Sequence, residues 1–313
     1  MRYNKSARLD TSGVRDARRS GGGKLGGRSG VALGGGGIGI AGVVIYLLVT
    51  LLTGNGSSSS AVTNVLGQLG QGGNSSTADN SEIAKECRTG ADANAHLECA
   101  VVADIDSIQE FWQGELPKHG AHYTDIPTVW FTGSVNTGCG AADTGAGPFY
   151  CPADKQVYID LSFYNDLKTQ FGAQGGLFVD AYVLGHEYGH HVQDLLGIES
   201  NVKPGVTGPN SGSVRLELQA DCFAGLWAKH ATTTKDPDGQ VLISSITADD
   251  VNRALDTAAR IGDDYIQTHL GNGHVNTKQF THGTSAQRRK WFSTGYRTGD
   301  FSACDTFGAT DLG

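Results

Sequence analysis

Apolar residues recur at helical spacing in two stretches near the middle of the chain. Residues 179–196 and 213–231 each repeat apolar side chains every three or four positions, which predicts two amphipathic helices. Gly197 supplies a stop signal for the first helix, and Ser213 is a candidate N-cap for the second. We therefore expect two helices that form the centre of the fold.

Other stretches predict the rest of the fold. Residues 247–250 have the pattern of a capping box and open a helix that runs to about residue 269, and residues 286–298 predict another helix. Residues 128–131 and 157–161 are rich in β-branched and aromatic side chains, which favours strands. The sequence thus predicts an α+β fold, mostly helical, with a small antiparallel sheet.

An apolar run precedes this folded part. Residues 31–53 carry no strongly polar side chain, and 23 residues in a helix span about 34 Å, enough to cross a bilayer core of about 30 Å. Basic residues precede the run and none follows it closely, which favours a cytoplasmic N-terminus. We predict an uncleaved transmembrane signal anchor. A cleaved signal peptide and a buried core helix are the alternatives, although no A-x-A site follows the run.

The sign of the net charge also changes across the apolar run. Residues 1–30 have a net charge of +6, while the whole chain has −8. We predict a disordered basic cytoplasmic tail over residues 1–30, a Gly/Ser-rich linker over 54–81 and one domain over 82–313. The predicted location is a single-pass membrane protein, held by residues 31–53, with an extracytoplasmic catalytic domain. The acidic balance argues against nucleic acid as a partner.

Six cysteines all follow the apolar run, which indicates three disulfides in an oxidising compartment. Fifteen pairings are possible for six cysteines. Proximity favours Cys87–Cys99 and Cys139–Cys151, which leaves Cys222–Cys304. A zinc site of four cysteines is the alternative, but no C-x-x-C spacing supports it.

The candidate chemistry lies on the first predicted helix. His186, Glu187 and His190 form an H-E-x-x-H motif. Residues at i and i+4 lie on one helical face, so the two imidazoles can bind one Zn²⁺. Glu187 can then act as the general base towards a water molecule. A pair of histidines without a metal is the alternative, but the flanking residues are apolar and a buried Glu between them needs a partner.

A catalytic zinc ion needs a third protein ligand and one open position. The second predicted helix contains Glu217 and Asp221 in an E-x-x-x-D pattern. Glu217 can complete a set of two His and one Glu, and Asp221 can accept a hydrogen bond from a ligand imidazole. An E-x-x-x-D pair is common on exposed helices, so its assignment to the metal site rests on its position in the helix that follows the H-E-x-x-H motif.

These two motifs resemble those of the gluzincin group of zinc peptidases. Longer stretches are similar to the bacterial neutral zinc metallopeptidase family, and they cover nearly the whole predicted domain: residues 138–164, 181–193, 215–227, 261–267 and 280–307. The resemblance implies a zincin-like fold, zinc as the cofactor, and a peptide or protein as substrate. It implies His186, His190 and Glu217 as ligands and Glu187 as the base, with Asp221 orienting His186.

The resemblance also implies an edge strand above the zinc on which a peptide substrate lies. Residues 157–161 are our candidate, and an ordinary buried hairpin is the alternative. His282 is a candidate donor to the oxyanion of the tetrahedral intermediate, with Tyr158 and Arg288 as further candidates. A structural histidine in a glycine-bounded loop is the alternative for His282. His191 lies about 100° around the helix from His190 and is predicted to pack or hydrogen-bond.

The predicted function is an extracytoplasmic zinc peptidase. One alternative is a binding or scaffold module that keeps zinc for stability alone. Another is a zinc hydrolase that acts on a non-peptide amide. Residues 288–290 (Arg-Arg-Lys) are predicted to form a solvated helix face and not a nucleic-acid patch.

Overall fold

The structure, a computed structural model, describes residues 1–18, 80–203 and 205–313. In chain order its elements are β1 (Arg2–Tyr3), β2 (Val14–Asp16), α1 (Ser81–Glu86), α2 (Gly90–Ala93), α3 (Leu97–Glu115), β3 (Thr128–Trp130), β4 (Ser134–Thr137), β5 (Gly140–Asp143), β6 (Phe149–Cys151), β7 (Gln156–Ile159), α4 (Phe163–Thr169), α5 (Leu177–Leu195), α6 (Gly212–His230), β8 (Ile243–Ser245), α7 (Ala248–Arg260), α8 (Asp263–His269) and α9 (Ser285–Thr298). The mixed α and β content agrees with the predicted class.

Three helices, α5, α6 and α9, pack against one another at the centre. A Cβ atom on Gly185 or Gly189 of α5 would meet α6 at 3.1–3.3 Å, tighter than ordinary contact. A Cβ on Gly225 of α6 would collide with the Phe292 carbonyl of α9, and one on Gly295 would collide with α6 in return. Glycine at these points lets the helix backbones approach closely, so the three helices form one rigid layer.

A four-stranded sheet lies beside this layer in the order β2-β3-β7-β6. The prediction of a small antiparallel sheet was wrong in part, because β2 and β3 are parallel and β3 and β7 are parallel. Only β6 runs antiparallel to its neighbour β7. Strand β6 is thus an edge strand of this sheet, and β7, the predicted edge strand, is an inner one. A hairpin of β4 and β5 precedes β6 along the chain.

The predicted helix over residues 247–269 is interrupted. Helix α7 ends at Arg260, and α8 begins at Asp263 after Gly262. A Cβ on Gly262 would collide with the backbone of Ser285, so glycine at the break allows the chain to approach this loop closely. The break is useful because it turns Asp263 towards the loop that carries His282.

Three disulfides are present with the predicted pairing: Cys87–Cys99, Cys139–Cys151 and Cys222–Cys304. Cys151 lies in β6, and Cys222 lies in the middle of α6. The first two pairs close short loops, while the third ties the chain's last segment to the central helix layer.

The N-terminal segment belongs to the folded body. The expectation of a disordered tail was wrong for residues 1–18, since β1 pairs with β8 and β2 extends the main sheet. Tyr3 is 2% exposed, and its hydroxyl donates to Asp104 of α3 at 2.8 Å. Val14 is 1% exposed. A few buried side chains and a strand ladder thus fix this segment, and neither leaves a periodic signal in a basic sequence.

No helix in the described ranges is long and apolar enough to cross a membrane. The predicted anchor over residues 31–53, and most of the predicted linker over 54–81, lie outside the described residues. Residues 1–18 and residues 80–313 share one core, so we expect both parts to lie in the same compartment when folded.

The expectation of a shared compartment can be tested by cysteine labelling of the full chain in intact cells. Ser6 and Ser200 are both exposed and lie in the two parts of the body. We expect Ser6→Cys and Ser200→Cys to react alike with a membrane-impermeant maleimide, either both labelled or both protected. Permeabilised cells, in which both sites should react, are the control. One site labelled and the other protected would contradict a shared compartment.

Candidate metal centre and active site

Two helices bring the three predicted ligands together. His186 and His190 lie one turn apart on α5, and Glu217 lies on the facing side of α6. The Nε2 atoms of the two histidines are 3.2 Å apart. Glu217 places Oε2 3.2 Å from Nε2 of His186 and Oε1 3.5 Å from Nε2 of His190. The predicted ligand atoms therefore converge on one point.

These separations fit a tetrahedral zinc ion. Zinc–ligand bonds of about 2.0–2.1 Å in a tetrahedron place neighbouring ligand atoms about 3.3 Å apart. Among the described residues, His186, His190 and Glu217 are the cluster of His, Cys, Asp and Glu side chains able to hold a metal ion, with ligand atoms within 4.8 Å of one another. Three protein ligands leave one position for water or substrate, as in catalytic zinc sites.

Each imidazole is held through its other nitrogen. Nδ1 of His186 lies 2.9 Å from Oδ1 of Asp221, and Nδ1 of His190 lies 2.8 Å from Oε1 of Gln193. Asp221 is fully buried and also accepts a hydrogen bond from the Tyr182 hydroxyl at 2.7 Å. The structure thus places Asp221 where it can orient His186, as the resemblance implied.

Arg288 balances this buried carboxylate. Its Nε donates to Oδ2 of Asp221 at 2.8 Å, and its Nη2 donates to Oδ1 at 2.9 Å. Arg288 is 3% exposed. The prediction of a solvated helix face was wrong for this residue, because α9 turns it inwards while Arg289 and Lys290 remain exposed. Because Nε and Nη2 of the Arg288 guanidinium both donate to Asp221, its best-placed donors are not available to a substrate oxyanion.

Burial and charge act against each other at the ligands. Burial alone would raise the carboxylate pKa values, but Arg288 and His186 outweigh it and lower the pKa of Asp221 to about 2. The nearby histidines likewise hold the pKa of Glu217 well below its usual range in spite of burial. Burial lowers the pKa of His190 to about 4, so its imidazole is neutral at pH 7. Burial opposes it, but Asp221 and Glu217 raise the pKa of His186 to about 10, so a cation bound at this site would displace a proton from that imidazole.

Glu187 lines the same cleft as the ligand residues but takes no part in the ligand set. It is 9% exposed, and its Oε2 accepts a hydrogen bond from the main-chain N–H of Tyr150 at 3.0 Å. Burial raises the pKa of Glu187 to about 7, although His186 opposes the shift. A carboxylate with a pKa near neutral is suited to accept and return a proton.

Tyr150 places edge strand β6 directly beside the site. The sequence missed this strand, which spans only Phe149–Cys151 between two prolines, and no periodic signal could have identified it. His191 contacts Tyr150 of this strand, with Nδ1 3.1 Å from the hydroxyl. Its Nε2 lies 2.8 Å from the carbonyl of Thr124, outside the strand. His191 is thus a hydrogen-bonding residue outside the ligand set, as predicted.

His282 lines the same cleft. Three successive main-chain N–H groups, those of residues 281–283, donate to Oδ2 of Asp263 at 2.7–2.9 Å. Nδ1 of His282 lies 3.4 Å from Oδ1 of the same carboxylate. Glu217 and Asp263 raise the pKa of His282 even though burial opposes this. Asp263 was not singled out from the sequence, although it lies in one of the stretches that carried the resemblance.

The cleft between these groups is largely apolar. Its walls include Pro148, Phe149, Phe163, Phe171, Val183, Val202, Leu216, Ile261 and Ile266. Glu187, Glu217, His282 and Arg288 reach it as well, whereas Tyr158 is turned away and donates to Asp154 at 2.6 Å. Of the candidate donors, the structure therefore brings His282 to the cleft and does not bring Tyr158.

The Asp221–Arg288 pair gives a stability prediction. Arg288→Leu removes one partner of a buried ion pair and leaves Asp221 uncompensated, which typically costs about 3–5 kcal/mol. Arg289→Leu, on the exposed neighbour, should change the unfolding free energy by less than about 0.5 kcal/mol. Urea unfolding of the two metal-free variants measures the difference. Equal effects would show that Arg288 does not compensate the buried carboxylate.

Comparison with known proteins gives a consistent picture. A family model described as "Putative neutral zinc metallopeptidase" matches residues 1–307. Uncharacterized proteins of Mycobacterium bovis and Mycobacterium tuberculosis H37Rv are each 48% identical over 229 residues, 73% of this chain and 76% of theirs. The uncharacterized protein YpfJ of Escherichia coli K12 is 44% identical over 209 residues, 65% of this chain and 69% of its own.

No solved structure matches the chain. The family model spans nearly the whole sequence, including the N-terminal segment that pairs with the sheet, and zinc is the metal that the family implies. With its two ligand-bearing helices and its sequence match in agreement, this chain belongs to the neutral zinc metallopeptidase family.

Proposed function

We propose that this chain is a zinc-dependent peptidase that hydrolyses peptide bonds with Glu187 as its general base. One observation carries the proposal. Donor atoms of His186, His190 and Glu217 converge at tetrahedral spacing beside a buried carboxylate, at the edge of an apolar cleft. A zinc ion kept for stability alone would be expected to have four protein ligands and no adjacent base.

The residues have separate roles in this proposal. A zinc ion held here would supply Lewis acidity for the scissile carbonyl and lower the pKa of water. Glu187 lies next to His186 and, with its raised pKa, accepts the proton of the attacking water and passes it to the leaving amine. His282 lines the cleft, with Nδ1 3.0 Å from the Thr281 hydroxyl and 3.4 Å from Oδ1 of Asp263, and it would donate to the developing oxyanion.

The edge strand supports a peptide as the substrate. The main-chain N–H of Tyr150 points from β6 towards Glu187 and not towards β7. Backbone groups alternate in direction along a strand, so the Tyr150 carbonyl lies on the same side of β6 and would accept a hydrogen bond from an extended chain, while the N–H is engaged by Glu187. An extended peptide laid along β6 would bring its backbone across the ligand set, with side chains entering the apolar cleft. This arrangement favours peptide hydrolysis over hydrolysis of an unrelated amide.

We also propose that the folded body lies outside the cytoplasm. Three disulfides in the described residues support this, because such bonds persist in oxidising compartments. The shared core of residues 1–18 and 80–313 supports the same location for the N-terminal segment, in place of the cytoplasmic side that the charge pattern favours.

Replacement of Glu187 by Gln tests the general base. The variant keeps size and hydrogen-bonding capacity but cannot accept a proton, so turnover of a broad peptide library should fall by about 10²–10⁴-fold. Bound zinc, measured by elemental analysis, should remain at the wild-type level because Glu187 is not a ligand.

Glu199→Gln is the matched control. Glu199 also lines the cleft, and burial likewise raises its pKa to about 7, but it lies outside the ligand set. Its replacement should leave turnover within a few-fold of wild type. A zinc-loaded Glu187→Gln variant as active as wild type would exclude the general-base role. A zinc-loaded wild type that cleaves no peptide would favour the scaffold alternative or a non-peptide amide as substrate.

A further inference from the structure

We propose that Gln193 is a positioning residue of the metal centre, which fixes His190 in the tautomer that carries its proton on Nδ1 and leaves Nε2 free for a metal ion. The inference rests on the proposed zinc-binding role of His190. It does not depend on which bond the protein hydrolyses.

The side chain of Gln193 has no exposure to solvent and bridges the two ligand-bearing helices. On α5 its Oε1 lies 2.8 Å from Nδ1 of His190, three residues earlier. Towards α6 its Nε2 lies 2.8 Å from the main-chain oxygen of Leu216 and 3.0 Å from Oε1 of Gln219. Both amide hydrogens and the amide oxygen are therefore engaged, and Leu216 directly precedes the ligand Glu217.

A main-chain carbonyl determines which way this amide points. The oxygen of Leu216 can only accept a hydrogen bond, so the nitrogen of Gln193 must face it. The amide oxygen then faces His190 and must receive a proton from Nδ1. In the reversed orientation, the Gln193 oxygen would lie against two other oxygens inside the protein, and buried acceptors without donors are costly.

Gln219 secures the same orientation from the far end. It is 5% exposed, and its Nε2 donates to the main-chain oxygen of Cys304 at 3.0 Å. Its Oε1 is thus left to accept from Gln193. The relay of two amides ends on carbonyls that cannot reverse, one in α6 and one in the segment tied by Cys222–Cys304. Neither amide can turn over alone without opposing like groups.

The consequence at the site is directional. With its proton on Nδ1, His190 presents the lone pair of Nε2 towards His186 and Glu217, where the ligand atoms converge. The opposite tautomer would point an N–H bond at the same place and could not bind a cation. His186 is held through Nδ1 by the carboxylate of Asp221, and His190 by a neutral amide, so the two ligands are oriented by different chemistry.

Zinc affinity is the first readout, measured by competition with a chromophoric chelator in the absence of substrate. Gln193→Leu keeps most of the side-chain volume but removes the acceptor, and loss of such an orienting partner typically weakens metal binding by about 10–100-fold. Gln193→Glu keeps an acceptor for Nδ1 and, when protonated on its other oxygen, still donates to the Leu216 carbonyl, so it should bind zinc more tightly than Gln193→Leu.

Gln109→Leu is the matched control for the loss of a buried glutamine. Gln109 is 7% exposed, and its Oε1 accepts from the main-chain N–H of Ile126 at 2.8 Å, on α3 and outside the metal centre. It should lose stability but keep wild-type zinc affinity. A folded Gln193→Leu variant with wild-type zinc affinity would overturn the proposal.

The tautomer itself can be read in the metal-free wild type, which needs no variant to fold. Long-range ¹H–¹⁵N NMR spectra of the His190 ring should show the proton on Nδ1, and a proton on Nε2 alone would overturn the proposal. A wild type that binds no zinc would contradict the proposed function, while the NMR result would still decide the role of Gln193. A zinc-loaded wild type that cleaves no peptide would contradict peptide hydrolysis and leave the affinity comparison intact.

Discussion

The close approach of α5 to α6 is the contact on which the rest of the site depends. Gly185 and Gly189 face α6, and a methyl group at either position would force the helices apart. Gly189 lies between Glu187 and His190 in the sequence, so the close contact with α6 occurs in the turn of α5 that carries these site residues. A separation only slightly larger would move Glu217 away from the two imidazoles. Dense packing at small residues, and not the metal alone, sets the ligand spacing.

The same packing creates a charge problem that the fold solves internally. Glu217 and Asp221 are both buried on α6, and ionised carboxylates in such a place need partners. Helix α9 supplies Arg288 to Asp221, and glycines at the α6–α9 contact let the guanidinium reach it. Helix α5 supplies the imidazoles to Glu217. The central layer is therefore a balanced set of charges as well as an apolar core.

The strands and the N-terminal segment follow a different logic. Strand β6 has three residues and β2 has three, so each is stable only because a neighbour already exists in the sheet. Residues 1–18 read as a basic tail because their charges are frequent and their buried residues are few. Tyr3 and Val14 nevertheless find positions in the core, and this places the N-terminal segment and the domain in one body.

The sequence alone determined the features that are encoded locally. The 3.6-residue period of α5 and α6 placed His186, His190 and Glu217 on defined helical faces, and cysteine spacing indicated the disulfide pairs. Only the tertiary structure decided which strand borders the site and that Arg288 points inwards. It also decided that Gln193 contacts His190 and that Asp263 contacts His282. Those features depend on partners far away in the chain, and no local period or spacing records which residue will be met after folding.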